Sequence, residues 1–377
     1  MTNTVMVVSR CAWTLFSFRG NLIRQLKAEG YHVIAVGDGS DGYGQRICTE
    51  LGVSFVDVPV AARGFNPFVE CLFVMRMLKT IRRYRPDIIH FFTIKPVVFG
   101  SIAAAIARVA VRVSTITGLG YAFTDASPVL KGIVTRLYRL ALAFNHWVFF
   151  QNGEDQRLFE QTGIIRSGRS SVVAGSGVDL NRFQPMELEI REKAPFRLLF
   201  IGRLLRDKGI MELISAARVI RQSGMPVQIA CLGAIDERNP SSLSEEELAA
   251  FVNEGIVTFH GHSDDVRPFV AQSHIVILPS YREGTPRVLL EAAAMARPLL
   301  ASDVPGCREV VRDGLNGFLF EPKSAASIVQ AIERIIADVP KLHRMASESR
   351  SLVEAVFDER RVIQTTLDKY ALLLGDG

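Results

Sequence analysis

The sequence predicts an α/β protein with two doubly wound parallel sheets, each in its own domain. Short apolar runs alternate with helical patterns through the first half of the chain, and the alternation restarts after a polar segment. The chain has 377 residues, which is too long for one ordinary core. Hydrophobic residues make up 48% of it and charged residues 22%, a composition typical of globular proteins.

In the first half, apolar runs of strand length alternate with patterns of helical period. The predicted strands are Val5–Val8, Tyr31–Val36, Ser54–Val58, Ile88–Phe92, Val111–Thr115 and Trp147–Gln151. The predicted helices are Gly20–Glu29, Gln45–Leu51, Pro67–Arg83, Pro96–Arg108 and Pro128–Phe144.

The second half repeats this pattern, and the polar run 184–195 is the predicted boundary between domains 1–184 and 185–377. A final amphipathic helix is expected at about 358–374, with Leu367 and Tyr370 on its apolar side. The predicted strands of this half are Phe196–Ile201, Gln228–Leu232, Val257–His260, Ile275–Leu278 and Pro298–Ala301.

The cysteine count, the apolar stretches and the net charge indicate the expected cellular compartment and partners. Five scattered cysteines form no CxxC pair, which fits buried thiols in a reducing cytoplasm better than disulfides or zinc. No signal-peptide pattern precedes the first strand. Arginines interrupt the apolar stretches 97–111 and 132–150, so we expect no membrane-spanning helix. The net charge of +5 attracts polyanions, and both nucleic acid and an anionic membrane qualify.

Two carboxylates, Glu283 and Glu291, stand eight positions apart in the segment Arg282–Glu291. A helix that begins after Gly284 would carry Glu291 on its inner part and leave Glu283 in the preceding loop. Backbone N–H groups in the first turn of such a helix form an anion site. Acids at this spacing are also common on solvated helices, so the pair alone does not identify a site.

A basic loop supplies the complementary charges. It follows the predicted strand Phe196–Ile201 directly and carries Arg203 and Lys208, five positions apart, at the entry to a predicted helix, Ile210–Gln222. Loops after the strands of an α/β sheet present side chains at its carboxyl edge. Both cations suit phosphate oxygens, although a solvated basic loop has the same composition.

The segments Gly202–Gly209 (GRLLRDKG) and Arg282–Ala292 (REGTPRVLLEA) resemble the retaining glycosyltransferases of family 4, which have the GT-B fold of two Rossmann-like domains facing across a cleft. Other segments similar to this family are Gly175–Asp179 with Arg182 and Phe183, Phe259–His262, Asp264–Val266 and Asp313–Leu319.

A narrower resemblance comes from the first half. The segment Gly118–Thr124 (GLGYAFT) is similar to bacterial enzymes that extend a polyprenyl-diphosphate-linked sugar, particularly those that add N-acetylgalactosamine. Because Arg203, Lys208 and Glu283 all follow strands of the second predicted sheet, we expect the second domain to bind the nucleotide sugar and the first to bind the acceptor.

By the family resemblance, Arg203 and Lys208 neutralise the departing diphosphate, Glu283 contacts the transferred sugar and Glu291 contacts the ribose. Further donor-binding groups are expected in the loop and first helical turn, where Pro286 has no N–H to give. They are Gly284, Thr285, Arg287 and Val288.

In the first domain, the family has a glycine near the leaving phosphate, and Gly20 is predicted to fill this role from a loop after the first strand. A plain turn is the alternative for Gly20. Many relatives carry a histidine where this chain has Thr117. His90 lies in the preceding predicted strand, and either a place at the cleft or a buried, satisfied ring is expected for it. The sequence therefore assigns no general base.

No metal or cofactor is expected. The chain lacks a DxD-type motif at the family's metal position, and two cations can do a metal's work. For Asp264 and Asp265, a helix N-terminus is the preferred interpretation over a metal site.

Two predicted helices of the first domain combine basic and apolar residues. One spans Met75–Arg85, and the other carries Lys131, Arg136 and Arg139. Such helices bind anionic headgroups and bury an apolar edge, although ordinary solvated faces are an equal alternative. No module of RNA-binding type is present, and we expect no nucleic-acid partner.

The sequence thus predicts a retaining, metal-independent hexosyltransferase of polysaccharide biosynthesis, peripheral on the inner face of the cell membrane. The expected donor is a UDP-sugar of an N-acetylhexosamine such as N-acetylgalactosamine, and the expected acceptor is a polyprenyl-diphosphate-linked saccharide. A soluble or glycerolipid acceptor, a UDP-N-acetylhexosamine epimerase with the same fold, and a non-catalytic scaffold that binds nucleotide sugars remain open.

Overall fold

A computed structural model describes residues 2–61, 66–119, 128–237 and 239–375. The chain divides into two units. The first comprises residues up to Ser176 together with those from Arg360 onward, and the second comprises Gly177–Glu359. Each unit contains one all-parallel sheet, which confirms the predicted fold class. The division falls before residue 184 because the chain joins the second unit early: the Val178 amide donates to the Phe357 carbonyl oxygen at 2.8 Å.

Within the described residues, the first sheet has seven strands in the order β3-β2-β1-β4-β5-β6-β7. They are β1 (Thr4–Cys11), β2 (His32–Asp38), β3 (Ser54–Asp57), β4 (Ile88–Phe92), β5 (Val111–Ile116), β6 (Trp147–Phe150) and β7 (Ser170–Val172). The order reverses direction between β1 and β4. At such a switch point, the loops that follow the two strands diverge and leave a crevice.

Helices cover both faces of this sheet. They are α1 (Ala12–Ala28), α2 (Tyr43–Arg46), α3 (Pro67–Tyr84), α4 (Ser101–Ile106), α5 (Pro128–Ala143) and α6 (Gly153–Gln161). Two π-helical turns, Ile47–Leu51 and Pro96–Gly100, extend α2 and precede α4. Because strand side chains alternate, Met6 and Val8 of β1 pack on the α3 side, and Val5 and Val7 pack on the α1 side. The last helix, α14 (Glu359–Gly375), places Leu367 and Tyr370 in the α1-side core.

Helix α1 begins earlier than the sequence predicts. Its buried residues include Leu15, Arg19, Leu22 and Leu26, which recur every three or four positions and so follow one helical face. Gly20 is also buried and lies between Arg19 and Leu22, inside this helix. The predicted start at Gly20, and its place in a loop, are wrong because packing of this face outweighs the low helix propensity of glycine.

The second sheet has six strands within the described residues, in the order β10-β9-β8-β11-β12-β13. They are β8 (Phe196–Ile201), β9 (Val227–Leu232), β10 (Val257–Phe259), β11 (Ile275–Leu278), β12 (Leu299–Ser302) and β13 (Gly317–Phe320). Five of them match predicted strands. The sixth, β13, overlaps the segment 313–319, for which the sequence indicated a family motif but no strand.

The helices of the second unit begin after its strands. They are α7 (Ile210–Ser223), α8 (Glu245–Glu254), α9 (Arg267–Gln272), α10 (Arg287–Ala294), α11 (Pro305–Val310), α12 (Ala325–Ile336) and α13 (Val339–Val356). The switch point of this sheet lies between β8 and β11. None of the helices in the described parts of the chain combines the length and apolarity that crossing a membrane requires.

Candidate functional site

The switch point of the second sheet carries the side chains that the sequence analysis singled out. Arg203 and Lys208 lie on the loop that follows β8, and Glu283 lies on the loop that follows β11. These strands are neighbours, with Val276 paired to Leu199. The two loops therefore leave the same edge of the sheet on either side of the crevice where ligands of open α/β sheets bind.

Lys208 and Glu283 form an ion pair across the two loops. The Lys208 Nζ donates to Glu283 Oε1 at 2.5 Å, and the side chains are 24% and 13% exposed. A partly buried charge needs a partner, and each of these groups supplies the other's. The sequence spacing of 75 residues gives no local reason for this contact, which depends on the strand order.

Backbone contacts hold the two loops together. The Tyr281 amide donates to the Asp207 carbonyl oxygen at 2.9 Å. Gly209 has a φ of +73°, and a β-carbon there would lie 2.1 Å from the carbonyl oxygen of Pro279. Both the left-handed conformation and the close approach require glycine at this position. The spacing between the cationic loop and the Glu283 loop is thus fixed by main-chain packing.

A second glycine packs against the backbone of the Glu283 loop. Gly306, in α11, lies directly against the loop: a β-carbon would lie 2.1 Å from the Gly284 carbonyl oxygen and 2.6 Å from that of Glu283. Its φ is not positive, so the constraint is steric only. The neighbouring thiol of Cys307 is buried, which raises its pKa, and the Glu283 carboxylate raises that pKa further.

Arg203 has a partner, Asp236, that was not predicted from the sequence pattern. Its Nη1 donates to Oδ2 of Asp236 at 2.8 Å. Asp236 lies on the loop after β9, the strand next to β8. The sequence did contain a signal for this contact: Asp236 is an acid that follows a predicted strand, and such a residue lies at the same sheet edge as the cations.

Helix α10 begins at Arg287, so the N–H groups of Arg287 and Val288 face the Glu283 loop, which also contains Gly284 and Thr285. Glu291, one turn into the helix, accepts a hydrogen bond from Arg287 Nε at 2.8 Å. Burial raises the pKa of Glu291, and the ion pair with Arg287 opposes this shift. Arg287 is thus held by Glu291 at the start of the helix.

The first unit places His90 differently. Its Nδ1 lies 2.5 Å from the Tyr370 hydroxyl, and its Nε2 lies 2.7 Å from Thr115 Oγ1. The ring is fully buried, which lowers its pKa well below the usual value, and Arg19 lowers it further. His90 is therefore a neutral, satisfied core residue that ties the last helix to the sheet. Of the two alternatives for His90, the structure matches the buried one.

Gly20 and Thr117 are the other two site residues predicted in the first unit. Gly20 lies in the middle of α1, where a β-carbon would be 3.7 Å from Leu51, an ordinary packing contact. Thr117 directly follows β5 and is half-buried. Of the GLGYAFT segment, residues 120–124 lie outside the described residues.

The described residues contain no group of three or more His, Cys, Asp and Glu side chains arranged to hold a metal ion. Asp265 instead accepts hydrogen bonds from the amide and the guanidinium of Arg267, the first residue of α9. The hydrogen bond from the Arg267 side chain is the main cause of the lowered pKa of Asp265. Asp264 contacts His262 at 3.2 Å.

Comparison with curated proteins finds relatives along nearly the whole chain. It is 26% identical over 376 residues to the N,N'-diacetylbacillosaminyl-diphospho-undecaprenol alpha-1,3-N-acetylgalactosaminyltransferase of Campylobacter jejuni, covering 96% of this chain and 97% of that protein. It is 23% identical to the UDP-Gal:alpha-D-GlcNAc-diphosphoundecaprenol alpha-1,3-galactosyltransferase of Escherichia coli, covering 86% of this chain and 87% of the relative.

Solved structures share the fold at lower identity. Sucrose-phosphate synthase from Thermosynechococcus elongatus superposes with a TM-score of 0.80 at 19% identity, covering 100% of both chains. HepE of Anabaena, crystallised with UDP, gives a TM-score of 0.76 at 20% identity, covering 98% of this chain and 100% of its own.

Two family models match the chain, one in each unit. The model described as Glycosyl transferase 4-like domain matches residues 18–174, and the model described as Glycosyl transferases group 1 matches residues 195–338. The chain therefore belongs to the group 1 glycosyltransferases and has the GT-B fold.

Proposed function

We propose that this protein transfers an N-acetylhexosamine, such as N-acetylgalactosamine, from a UDP-sugar to a polyprenyl-diphosphate-linked saccharide with retention of configuration. The observation that carries the proposal is the Lys208–Glu283 ion pair at the β8/β11 switch point, with Arg203 on the same loop as Lys208. Two cations and one carboxylate at one sheet edge match the chemistry of a sugar diphosphate: phosphate oxygens for the cations and sugar hydroxyls for the acid.

In the proposed complex, the diphosphate lies against Arg203, Lys208 and the first turn of α10. Glu283 accepts hydrogen bonds from the transferred sugar, and Glu291 accepts them from the ribose. The diphosphate then shares Lys208 with Glu283, so the ammonium keeps a counter-charge throughout. The presence of UDP with the Anabaena neighbour supports a uridine nucleotide in this fold.

The proposed reaction exchanges one bond for another. The bond between the sugar C1 and the β-phosphate oxygen breaks, and a bond between C1 and the acceptor hydroxyl oxygen forms on the same face of the sugar. The acceptor proton passes to an oxygen of the departing UDP. Arg203 and Lys208 stabilise the charge that develops on this leaving group, and such preorganised charge is commonly the largest catalytic contribution.

The leaving phosphate is the proposed base. His90 is unsuited to that role, because its neutral ring is buried and both nitrogens contact hydroxyl groups. A departing phosphate that accepts the proton on the side from which it leaves directs the acceptor to the same face, which supports retention. We further propose that transfer proceeds without a metal ion, since Arg203 and Lys208 supply the positive charge that a metal would bring.

A lipid-linked acceptor is supported by the printed names of the Campylobacter jejuni and Escherichia coli relatives, both of which include a diphospho-undecaprenol. The first unit also has a suitable surface. Helices α3 and α5 both contact α4, and each exposes apolar and basic residues. Phe68 is 85% exposed and Val129 is 73% exposed. The remaining described side chains of this kind are Val69, Leu72, Met75, Ile133 and Leu140, together with Arg76, Lys79, Arg82, Arg83, Lys131, Arg136 and Arg139.

We name the exposed residues of α3 and α5 the basic-apolar surface. Apolar side chains that insert into a headgroup layer, flanked by cations that attract anionic lipids, support peripheral binding to a membrane. In the proposal, this surface holds the enzyme on the inner face of the cell membrane, where the polyprenyl carrier is embedded.

The experiment that tests the proposal incubates the purified protein with a panel of UDP- and GDP-sugars and measures its melting temperature. A UDP-N-acetylhexosamine is expected to stabilise the protein, as ligands that bind only the folded state do. Transfer from that donor to a short-chain polyprenyl-diphosphate disaccharide is then followed by chromatography. A soluble saccharide that accepts equally well would overturn the lipid-linked acceptor, and no stabilisation by any donor would overturn the proposal as a whole.

A further inference from the structure

Arg203 is the more exposed of the two cations and is held by a residue outside the basic loop. Its side chain is 55% exposed, and its Nη1 contacts Asp236, whose side chain is 26% exposed. A long, exposed arginine side chain samples several rotamers unless a partner fixes it, and ordering it has an entropic cost. Asp236 removes part of this freedom before any donor arrives.

The carboxylate of Asp236 is itself on a fixed backbone. The Asp236 amide donates to Ser242 Oγ at 2.9 Å, and the Asp236 carbonyl oxygen accepts from the Asn239 amide at 2.6 Å. Both the amide and the carbonyl group of Asp236 are therefore bound within the loop after β9, and its carboxylate projects from a fixed backbone position.

Backbone hydrogen bonds join the loop after β9 to the loop that carries Arg203 and Lys208. The Leu243 amide donates to the Leu204 carbonyl oxygen at 3.0 Å, and the Arg206 amide donates to the Ser241 carbonyl oxygen at 2.7 Å. Leu205 and Ser242 form an antiparallel bridge. Asp236 and Arg203 thus belong to one hydrogen-bonded unit, and the distance between them does not depend on the ion pair alone.

The contact leaves Arg203 able to bind a further anion. Within the described residues, the only hydrogen bond of its guanidinium is the one from Nη1 to Asp236. The Nε and Nη2 groups remain as donors, and this edge of a guanidinium matches two phosphate oxygens.

We propose that Asp236 is a positioning residue, which holds the Arg203 guanidinium with its free edge toward the donor diphosphate. This inference rests on the proposed function and adds a residue to the same site. Asp236 does not touch the donor, and it acts only through Arg203. Its removal should therefore slow the step in which charge develops on the leaving group more than it weakens binding of UDP, which retains Lys208 and the first turn of α10.

The test is a double-mutant cycle on hydrolysis of UDP-N-acetylgalactosamine, with UDP affinity measured by calorimetry. Asp236→Ala is expected to lower kcat about tenfold and to change the UDP Kd less than about threefold, the scale set by ordering one arginine side chain. Asp236→Asn, whose amide oxygen still accepts from Nη1, should recover most of the rate. In the Arg203→Ala background, Asp236→Ala should have no further effect.

Glu254→Ala serves as the matched control, because it removes an acid from another exposed ion pair of the same unit, with Arg218 at 2.6 Å. It should leave kcat unchanged. Full activity of Asp236→Ala, or an additional loss in the Arg203→Ala background, would overturn the positioning role. If Asp236→Ala fails to fold, the Asp236→Asn variant decides, since a tenfold loss there contradicts rescue through the hydrogen bond. A wild-type protein that neither binds UDP nor hydrolyses the donor overturns the proposed function instead.

Discussion

The two sheets share one strand order around their switch points, but the side chains next to those points differ in kind. In the second unit, the loops after β8 and β11 bring together Lys208 and Glu283, which are charged and partly exposed. In the first unit, the strand that corresponds to β11 is β4, and it holds His90, neutral and fully buried against Tyr370 and Thr115.

This difference indicates where a polar ligand can bind. A partly exposed ion pair can exchange part of its interaction for a phosphate or a hydroxyl at small cost, because water and ligand both reach it. A buried, fully satisfied hydrogen-bond cluster cannot, since any opening would leave polar groups unpaired. The second sheet edge is therefore suited to donor chemistry, and the His90 cluster is suited to joining the last helix to the first unit.

The largest effect is expected from Lys208→Ala, which removes the charge at the second switch point. Transfer should fall by about two to three orders of magnitude, the range for losing one preorganised charge at a leaving group. Initial rates with saturating donor provide the measurement. Lys193→Ala, an exposed lysine of the same unit, is the control. If Lys208→Ala keeps more than a tenth of the wild-type rate, the charged pair is not where the chemistry occurs.

Gly306→Ala tests whether the position of Glu283, rather than its presence, matters. The added methyl must displace the Glu283–Gly284 carbonyls, and a shift near 1 Å in a reacting group costs up to about 100-fold. We expect kcat to fall about 30-fold, in the upper part of this range, while circular dichroism stays unchanged. Gly153→Ala, at the start of α6 with open space around it, is the matched control. Equal rates for the two variants would refute the support assigned to Gly306.

Much of this comparison could be predicted from the sequence, and the exceptions have physical causes. The cations and acids were identified from strand-loop-helix order, which is a local pattern. Asp236, which contacts Arg203, and Gly306, which packs against Glu283, were not identified. Both are far away in sequence and are brought near only because their strands are neighbours in the sheet. Gly20 was misplaced for the opposite reason: local propensity indicated a loop, while long-range packing of one helical face required a helix.

A histidine in each unit predicts how stability depends on pH. Burial lowers the pKa of His274 to about 4, with Arg197 and Arg297 adding to the shift and a hydrogen bond to the Glu189 carbonyl opposing it. The unfolded chain protonates near pH 6.5 and so binds more protons, which means that stability falls as pH drops from 6.5 to 4. The burial of His90 acts in the same direction.

The expected loss from His274 between pH 7 and 4.5 is on the order of 2 kcal/mol in the free energy of unfolding. Urea unfolding at the two pH values measures it. His274→Asn should show a smaller difference between them, while His343→Asn, an exposed histidine on α13, should match the wild type. An unchanged pH dependence in His274→Asn would mean that other groups cause the acid sensitivity.

The smallest effect concerns the basic-apolar surface of the first unit. Replacing Phe68 and Met75 with serine should weaken binding to phosphatidylglycerol vesicles about tenfold, because two inserting apolar side chains are lost. Vesicle sedimentation at two salt concentrations provides the measurement. The double replacement of Val219 and Val252, exposed valines of the second unit, is the control. If both double variants bind the vesicles as the wild type does, the membrane-facing role of α3 is wrong.

Titration calorimetry with UDP measures whether the donor diphosphate binds the cations of the second unit. We expect the Arg203→Ala/Lys208→Ala variant to lose at least about 50-fold in UDP affinity, because two charge-assisted phosphate contacts are removed, and the Phe68→Ser/Met75→Ser variant to bind UDP as the wild type does. Undiminished UDP binding by the Arg203→Ala/Lys208→Ala variant would contradict binding of the diphosphate at these cations.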